Sequence, residues 1–172
     1  VIDLDAGEEI SGAGEKGFAL IKEVVKEACN AIIEDLNMIP YVKFSGSRGF
    51  QIWIKPEKPI GGFDDYREAV TIIRDLTEKR LESRYDELKS DFGEIFSIPL
   101  TTATVAKKDL RRKQILFDWS SLKPEGDVRA PYSMHYKTGL VSVPVDIKEI
   151  DKFRFEDARI ERVVERKNYL SK

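Results

Sequence analysis

The chain is short of the residues on which several common chemistries depend. One cysteine, Cys29, in 172 residues excludes an internal disulfide and a cysteine-rich zinc site. One histidine, His135, leaves any bound metal to oxygen ligands or to that single imidazole. Neither charge sign is in excess: 29 Lys and Arg against 31 Asp and Glu give a net charge of −2. The strong basicity that accompanies non-specific nucleic-acid binding is therefore missing. No apolar run approaches the roughly 18 residues of a membrane span, and no signal-peptide pattern opens the chain. These absences predict a soluble protein of a reducing, cytoplasmic compartment with no membrane partner.

What is present suits a folded domain. Hydrophobic residues make up 41%, with nine Phe, six Tyr and two Trp as core material. Disorder is disfavoured by that fraction and by the low net charge. The length fits a single domain over residues 1–172. The chain opens on Val1 rather than Met, which points to processing or to a boundary within a larger protein.

The hydrophobic period changes along the chain, and each change marks an element. Val-Ile-Asp-Leu-Asp at 1–5 alternates as a strand. Phe18, Ile21, Val24, Val25, Ala28, Ile32, Ile33 and Leu36 recur at three and four, predicting a helix over 15–37 ended by Asn37 and Pro40. Residues 41–45 and 50–54, flanking Gly46-Ser47-Arg48-Gly49, predict a β-hairpin. Pro56, Pro59, Gly61 and Gly62 read as a loop. Asp64 is placed to cap a second helix over 65–88 with Val70, Ile73, Leu76 and Leu81 inward. Residues 92–105 are ambiguous between a short strand and a linker. Ile115–Trp119 and Leu140–Val145 read as strands, the latter at an edge because of Pro144. Residues 155–170 read as a terminal amphipathic helix. The order predicts an α+β fold, mixed β-structure flanked by helices, with an α/β sandwich as the other arrangement.

Three places break the local pattern. Asp3 and Asp5 stand two apart in a strand, so both carboxylates share one face while Ile2 and Leu4 take the other. Asp118 interrupts an apolar strand. If these strands are neighbours, three carboxylates converge and their repulsion demands a counter-charge, which hard divalent cations such as Mg²⁺ or Mn²⁺ supply. An Asp-x-Asp before Ala6-Gly7 is also what an ordinary turn looks like. Second, Ser45-Gly46-Ser47-Arg48-Gly49 combines exposed backbone N–H groups with a hydroxyl and a guanidinium, a set that holds phosphate oxygens. Third, Arg129, Ser133 and His135 cluster around the Pro131 turn. The basic run Lys107, Lys108, Arg111, Arg112 and Lys113 is either a template or primer contact or a solvated loop.

Together these segments resemble the archaeo-eukaryotic primase superfamily. Ser45-Gly46-Ser47-Arg48-Gly49-Phe50-Gln51-Ile52-Trp53 is similar to its Ser-Gly-x-Arg-Gly-x-His-x-Trp motif. Asp3-Leu4-Asp5 resembles the first acidic motif, Asp118 the third, and Arg129 through Pro131, Tyr132, Ser133, His135, Lys137, Thr138 and Gly139 the basic-x-Pro-Phe-Ser-x-His-Pro-Lys-Thr-Gly segment. The matches run in family order from residue 3 to Pro144.

The resemblance implies a primase small-subunit-like core acting as a primase or primase-polymerase. Asp3, Asp5 and Asp118 would hold two Mg²⁺ or Mn²⁺ ions; Ser45, Arg48, Gln51, Arg129, Ser133 and His135 would bind the nucleoside triphosphate. It also implies a single-stranded or primed DNA template, a large primase subunit or another replication or repair protein as partner, and a nucleoid-associated setting in an archaeon or bacterium. Three features depart from the family: Gln51 stands where it has His, its zinc insertion is impossible with Cys29 alone, and it usually carries sequence before the first motif, where two residues stand here. A related branch, the end-joining repair polymerases, tends to carry Lys in the glycine turn and Arg after Pro-Tyr-Ser-x; Arg48 and His135 tilt the resemblance toward the primase side. An end-joining polymerase, a catalytically weakened nucleotide- or DNA-binding module, and a purely structural α+β domain are the competing expectations.

Overall fold

The structure is a computed structural model that describes residues 1–58, 61–103 and 112–170, with the backbone alone for 167–170. Its centre is a six-stranded sheet: β1 (Ile2–Ala6), β2 (Pro40–Phe44), β3 (Phe50–Ile54), β4 (Thr101–Thr102), β5 (Ile115–Asp118) and β6 (Pro144–Val145) in the order β4-β5-β1-β3-β2-β6. Only β4 and β5 pair in parallel. The sheet is thus mixed and the fold α+β.

Register follows from which side chains seek the interior. Leu4 lies opposite Phe50 on one side and Phe117 on the other, Ile2 opposite Ile52, and Phe44 opposite Phe50. Leu4, Phe44, Phe50, Ile52 and Phe117 are fully buried. A slip of one residue would turn this whole apolar set to the other face, so the pairing is strongly specified.

Against that face lies α2 (Glu15–Asn30), which continues as one π-helical turn to Asp35 and ends where Asn37 takes a left-handed φ of 51°. Its apolar stripe is the predicted one, except that Ile33 points outward, 47% exposed. Phe18 of α2 stacks on Phe50 at 5.5 Å and on Phe155 at 4.1 Å. Phe153 joins the same cluster, so the 3₁₀ turns Ile147–Lys152 and Phe155–Ala158 are tied down before α5 (Ile160–Leu170).

Several boundaries differ from the sequence reading. A short helix, α1 (Glu8–Gly12), precedes α2; it is too brief to show a period. The predicted 65–88 helix is two: α3 (Phe63–Glu82) and α4 (Tyr85–Phe92). The first is capped not by Asp64 but by Asp65, whose Oδ2 accepts the Gly62 N–H at 2.7 Å. The terminal helix is interrupted at Arg159, whose backbone is extended. The predicted 140–145 strand shrinks to β6, because Pro144 offers no N–H and Ser142 pairs instead with the turn at 132–133. As expected, β6 is an edge strand. In the ambiguous region, α4 ends at Phe92 and β4 comes next in the sheet. Among the described residues no helix is long and apolar enough to cross a membrane.

Candidate active site

The face of the sheet turned away from α2 carries one continuous polar row. Lys43 of β2 lies opposite Gln51 of β3, Gln51 opposite Asp3 of β1, and Asp3 opposite Asp118 of β5. Directly opposed residues of antiparallel strands project to the same side, so four strands contribute one side chain each to a line. Asp5 lies two residues along β1 on that same side, opposite Leu116. The three acids of the sequence reading therefore share a face.

Asp3 is the electrostatic centre. Burial raises its carboxyl to about 7; Asp5 and Asp118 push the same way, against the Gln51 hydrogen bond and the Lys43 charge. Gln51 Nε2 donates to Asp3 Oδ2 at 3.2 Å, while Asp3 Oδ1 and Gln51 Oε1 are buried without a partner. Asp118 Oδ1 accepts the Ser120 N–H at 2.7 Å. Among the described residues no three His, Cys, Asp or Glu side chains form a ready ligand cluster. The donor set nevertheless fits a hard cation. Unsatisfied buried carboxylate oxygen beside two like charges is the environment in which a divalent ion removes the most unfavourable energy.

The glycine turn is held against this row by steric necessity. A Cβ on Gly49 would stand 2.0 Å from the Leu4 carbonyl oxygen, so only glycine lets the start of β3 approach β1 between Asp3 and Asp5. Gly46 takes a φ of +85°, and a Cβ there would press on the Leu140 carbonyl and on His135. Ser45 Oγ accepts the N–H groups of Ser47 and Gly49, each at 3.3 Å, leaving its proton free to donate. Thr138 Oγ1 donates to Gly46 O at 2.6 Å and binds the turn to the segment carrying His135.

These parts enclose an open cavity of about 330 Å³, lined by Asp3 and Asp5 on one side and by Ser45, Arg48, Arg129 and His135 on the other, with Gln51 also in its wall. A second, of about 530 Å³, shares Asp5 and Arg48 and includes Asp118, Glu8 and Leu116. The first cavity thus brings three carboxylates, Asp3, Asp5 and Asp127, together with the guanidinium groups of Arg48 and Arg129. Burial and the charges of Arg129 and Lys137 lower the His135 pKa. Its Nδ1 accepts the Lys137 N–H at 3.3 Å, so Nε2 carries the proton and acts as a donor.

Ser133 is placed differently: its hydroxyl donates to Ala130 O at 2.7 Å, and the residue is not in the cavity wall. Of the basic run, Lys107, Lys108 and Arg111 lie outside the described residues. Arg112 and Lys113 stand within 3.6 Å of the acidic first turn of α1, Arg112 against both Glu8 and Glu9 and Lys113 against Glu9.

Lys43 and Asp127 lie at the site and carry no role in the sequence reading, and Ser47, there only part of the glycine turn, also lines the cavity. Lys43 was legible: strand alternation puts it on the Gln51 side of the hairpin. Burial lowers its pKa to about 8, with Asp3 opposing and Arg129 adding to the effect. Asp127 and Ser47 sit in loops, where no period marks them.

A family model described as LigD, primase-polymerase domain matches residues 1–171. The DNA primase small subunit PriS of Pyrobaculum aerophilum is 28% identical over 145 residues, 76% of this chain and 44% of the relative. The multifunctional non-homologous end joining DNA repair protein LigD of Mycobacterium tuberculosis H37Rv is 24% identical over 88% of this chain and 17% of its own length. Among solved structures, the polymerase domain from Mycobacterium tuberculosis Ligase D in complex with DNA superposes with a TM-score of 0.62 at 22% identity, over 95% of this chain and 50% of that one. The chain spans half or less of each of these three relatives. Both branches weighed from the sequence are represented among them, and the family model is that of the end-joining branch, toward which Arg48 and His135 did not tilt the reading.

Proposed function

Since the chain belongs to the LigD primase-polymerase domain family, we propose that it is the catalytic core of a template-directed nucleotidyltransferase that joins nucleoside triphosphates to a nucleic-acid strand. The observation that carries this reading is the registered row of Asp3 and Asp118 with Asp5 beside them: Asp3 and Asp5 line a cavity with Arg48, Arg129 and His135, and Asp118 lines the neighbouring one, which shares Asp5 and Arg48. A polyphosphate needs cations at its rim and a metal-competent acidic floor, and this cleft supplies both.

Asp3, Asp5 and Asp118 would hold Mg²⁺ or Mn²⁺, which when bound offsets the carboxylates and polarises phosphate oxygen. The guanidinium groups of Arg48 and Arg129 grip the β- and γ-phosphates, and the Ser45 hydroxyl and His135 Nε2–H donate to their oxygens. Gln51 fixes Asp3 through its amide. The strand's 3′-hydroxyl gives up its proton to solvent as its oxygen bonds to the α-phosphorus, the bond from that phosphorus to the α,β-bridging oxygen breaks, and pyrophosphate leaves. Held in this way, the substrates react mainly through positioning and stabilisation of developing charge.

The DNA template, the partner subunit and the choice of metal belong to this proposal. Arg112 and Lys113, which precede β5 and pair with Glu8 and Glu9 of α1, are the described part of the basic run assigned to template contact. A second reading, a module that binds nucleotide without turnover, is favoured by Gln51: an amide carries neither charge nor an exchangeable proton for transfer.

The test is incorporation of labelled nucleotides on single-stranded and primed templates with Mn²⁺. Incorporation that falls at least about 100-fold in Asp3→Asn, Asp5→Asn and Asp118→Asn supports the enzyme. Binding without turnover supports the module. If the protein neither incorporates nor binds nucleotide with Mn²⁺, or if these variants leave both unchanged, both readings fall.

A further inference from the structure

Lys43 is buried, 3% exposed, yet it is not in the wall of the 330 Å³ cavity. Its ammonium is engaged on the other side, by the 129–142 segment. It donates to the carbonyl oxygen of Arg129 and, at 2.9 Å, to Ser142 Oγ. Ser142, fully buried, in turn donates from Oγ to Phe44 O at 2.9 Å. The Ser142 backbone closes the circuit: its N–H donates to Ser133 O at 2.9 Å and its C=O accepts the Tyr132 N–H at 2.6 Å. The 129–142 segment has little regular structure of its own, one isolated bridge between Met134 and Val141. Arg129 and His135 are located relative to the β2–β3 hairpin by this buried polar network, together with the Thr138 bond to Gly46 and the backbone pairing of β2 with Val143 and β6 that follows the segment. Networks of this kind fix geometry when every member is satisfied.

We infer that Lys43 is a positioning residue for the phosphate site: through Arg129 O and Ser142 Oγ it sets where the Arg129–His135 segment meets the glycine turn. The inference rests on the proposed function for its kinetic consequence and on the network alone for its structural one. The Lys43 stem lies with its ammonium 5.7 Å from the Trp53 ring, so Lys43→Met keeps the aliphatic packing and removes the donors together with the charge that acts on Asp3, whereas Ser142→Ala breaks the network and leaves that charge in place.

Two measurements decide it. In hydrogen exchange, Lys43→Met and the milder Ser142→Ala should each speed exchange of the Tyr132 and Ser142 amides about tenfold or more, while amides of β1 and β3 keep their protection. Unchanged exchange at 132 and 142 overturns the inference. In steady-state assays, Lys43→Met and the charge-preserving Ser142→Ala should each raise KM for the triphosphate, Lys43→Met about tenfold, with kcat within about threefold, and Lys43→Met combined with Arg129→Ala and His135→Ala should be no worse than that pair alone. Losses that multiply would mean that Lys43 meets the phosphates directly, and the positioning role would be wrong. If the wild-type chain neither binds nor incorporates a nucleotide, the functional reading fails, and the exchange data still rule on Lys43.

Discussion

Gln51 donates the hydrogen bond that steadies Asp3, from the position where the resemblance implies His. Partners that orient a metal ligand are worth about 10–100-fold in affinity, so Gln51→Leu should weaken Mn²⁺ binding by about tenfold or more in a calorimetric titration. Gly49 is a different kind of residue: it matters for what it lacks. With the Leu4 carbonyl where a Cβ would stand, Gly49→Ala forces β1 and β3 apart and should cost about 3 kcal/mol in urea unfolding. Lys22 supplies a pH test away from the site. Its ammonium is buried between Asp151 O and Phe153 O, and burial, with Arg154 next, lowers its pKa. A lysine whose folded pKa lies below its unfolded value binds fewer protons when folded. Stability should therefore rise with pH from the lowered value up to about 10.5, and Lys22→Met should lose that slope.

At the scale of elements, Glu78 shows how one residue of α3 organises two later elements, α4 and β4. Its buried carboxylate accepts from the Tyr85 hydroxyl at the start of α4 and from the N–H groups of Leu100 and Thr101 at 3.0 and 2.8 Å. Together with the backbone pairing of β4 and β5, that side chain places β4 and ties it to the start of α4. Glu78→Ala leaves the Thr101 N–H buried without its partner and the Leu100 N–H with the Tyr85 hydroxyl alone, an expected loss of about 3 kcal/mol by thermal unfolding. None of this was legible in sequence. A single acid in an amphipathic helix reads as solvated surface, and the 65–88 period runs through the break without interruption. The elements that were legible, α2 and the β2–β3 hairpin, are those whose own period or turn residues specify them. Gly46 and Gly49 marked the hairpin turn, and Asn37 the end of α2.

For the whole molecule, the core is continuous from α2 through the sheet to the terminal Phe153 and Phe155, so opening should be cooperative. Cys29 reports on it. Burial pushes its thiol up to about 12, and the side chain is wholly enclosed. A thiol reagent at neutral pH should label Cys29 only at the rate of global unfolding, measurable by mass spectrometry against urea concentration. The alternation Ile2-Asp3-Leu4-Asp5, the glycines around Arg48 and the lone cysteine determined by themselves which faces are buried, where the chain turns and which chemistries are excluded, because period and backbone freedom are local properties. Only the tertiary structure decided that Asp118 stands opposite Asp3, that Lys43 completes the row, and that Ser133 turns to its own backbone. Strand neighbours and loop placement depend on contacts far apart in sequence, and no local pattern records which strand will lie beside which.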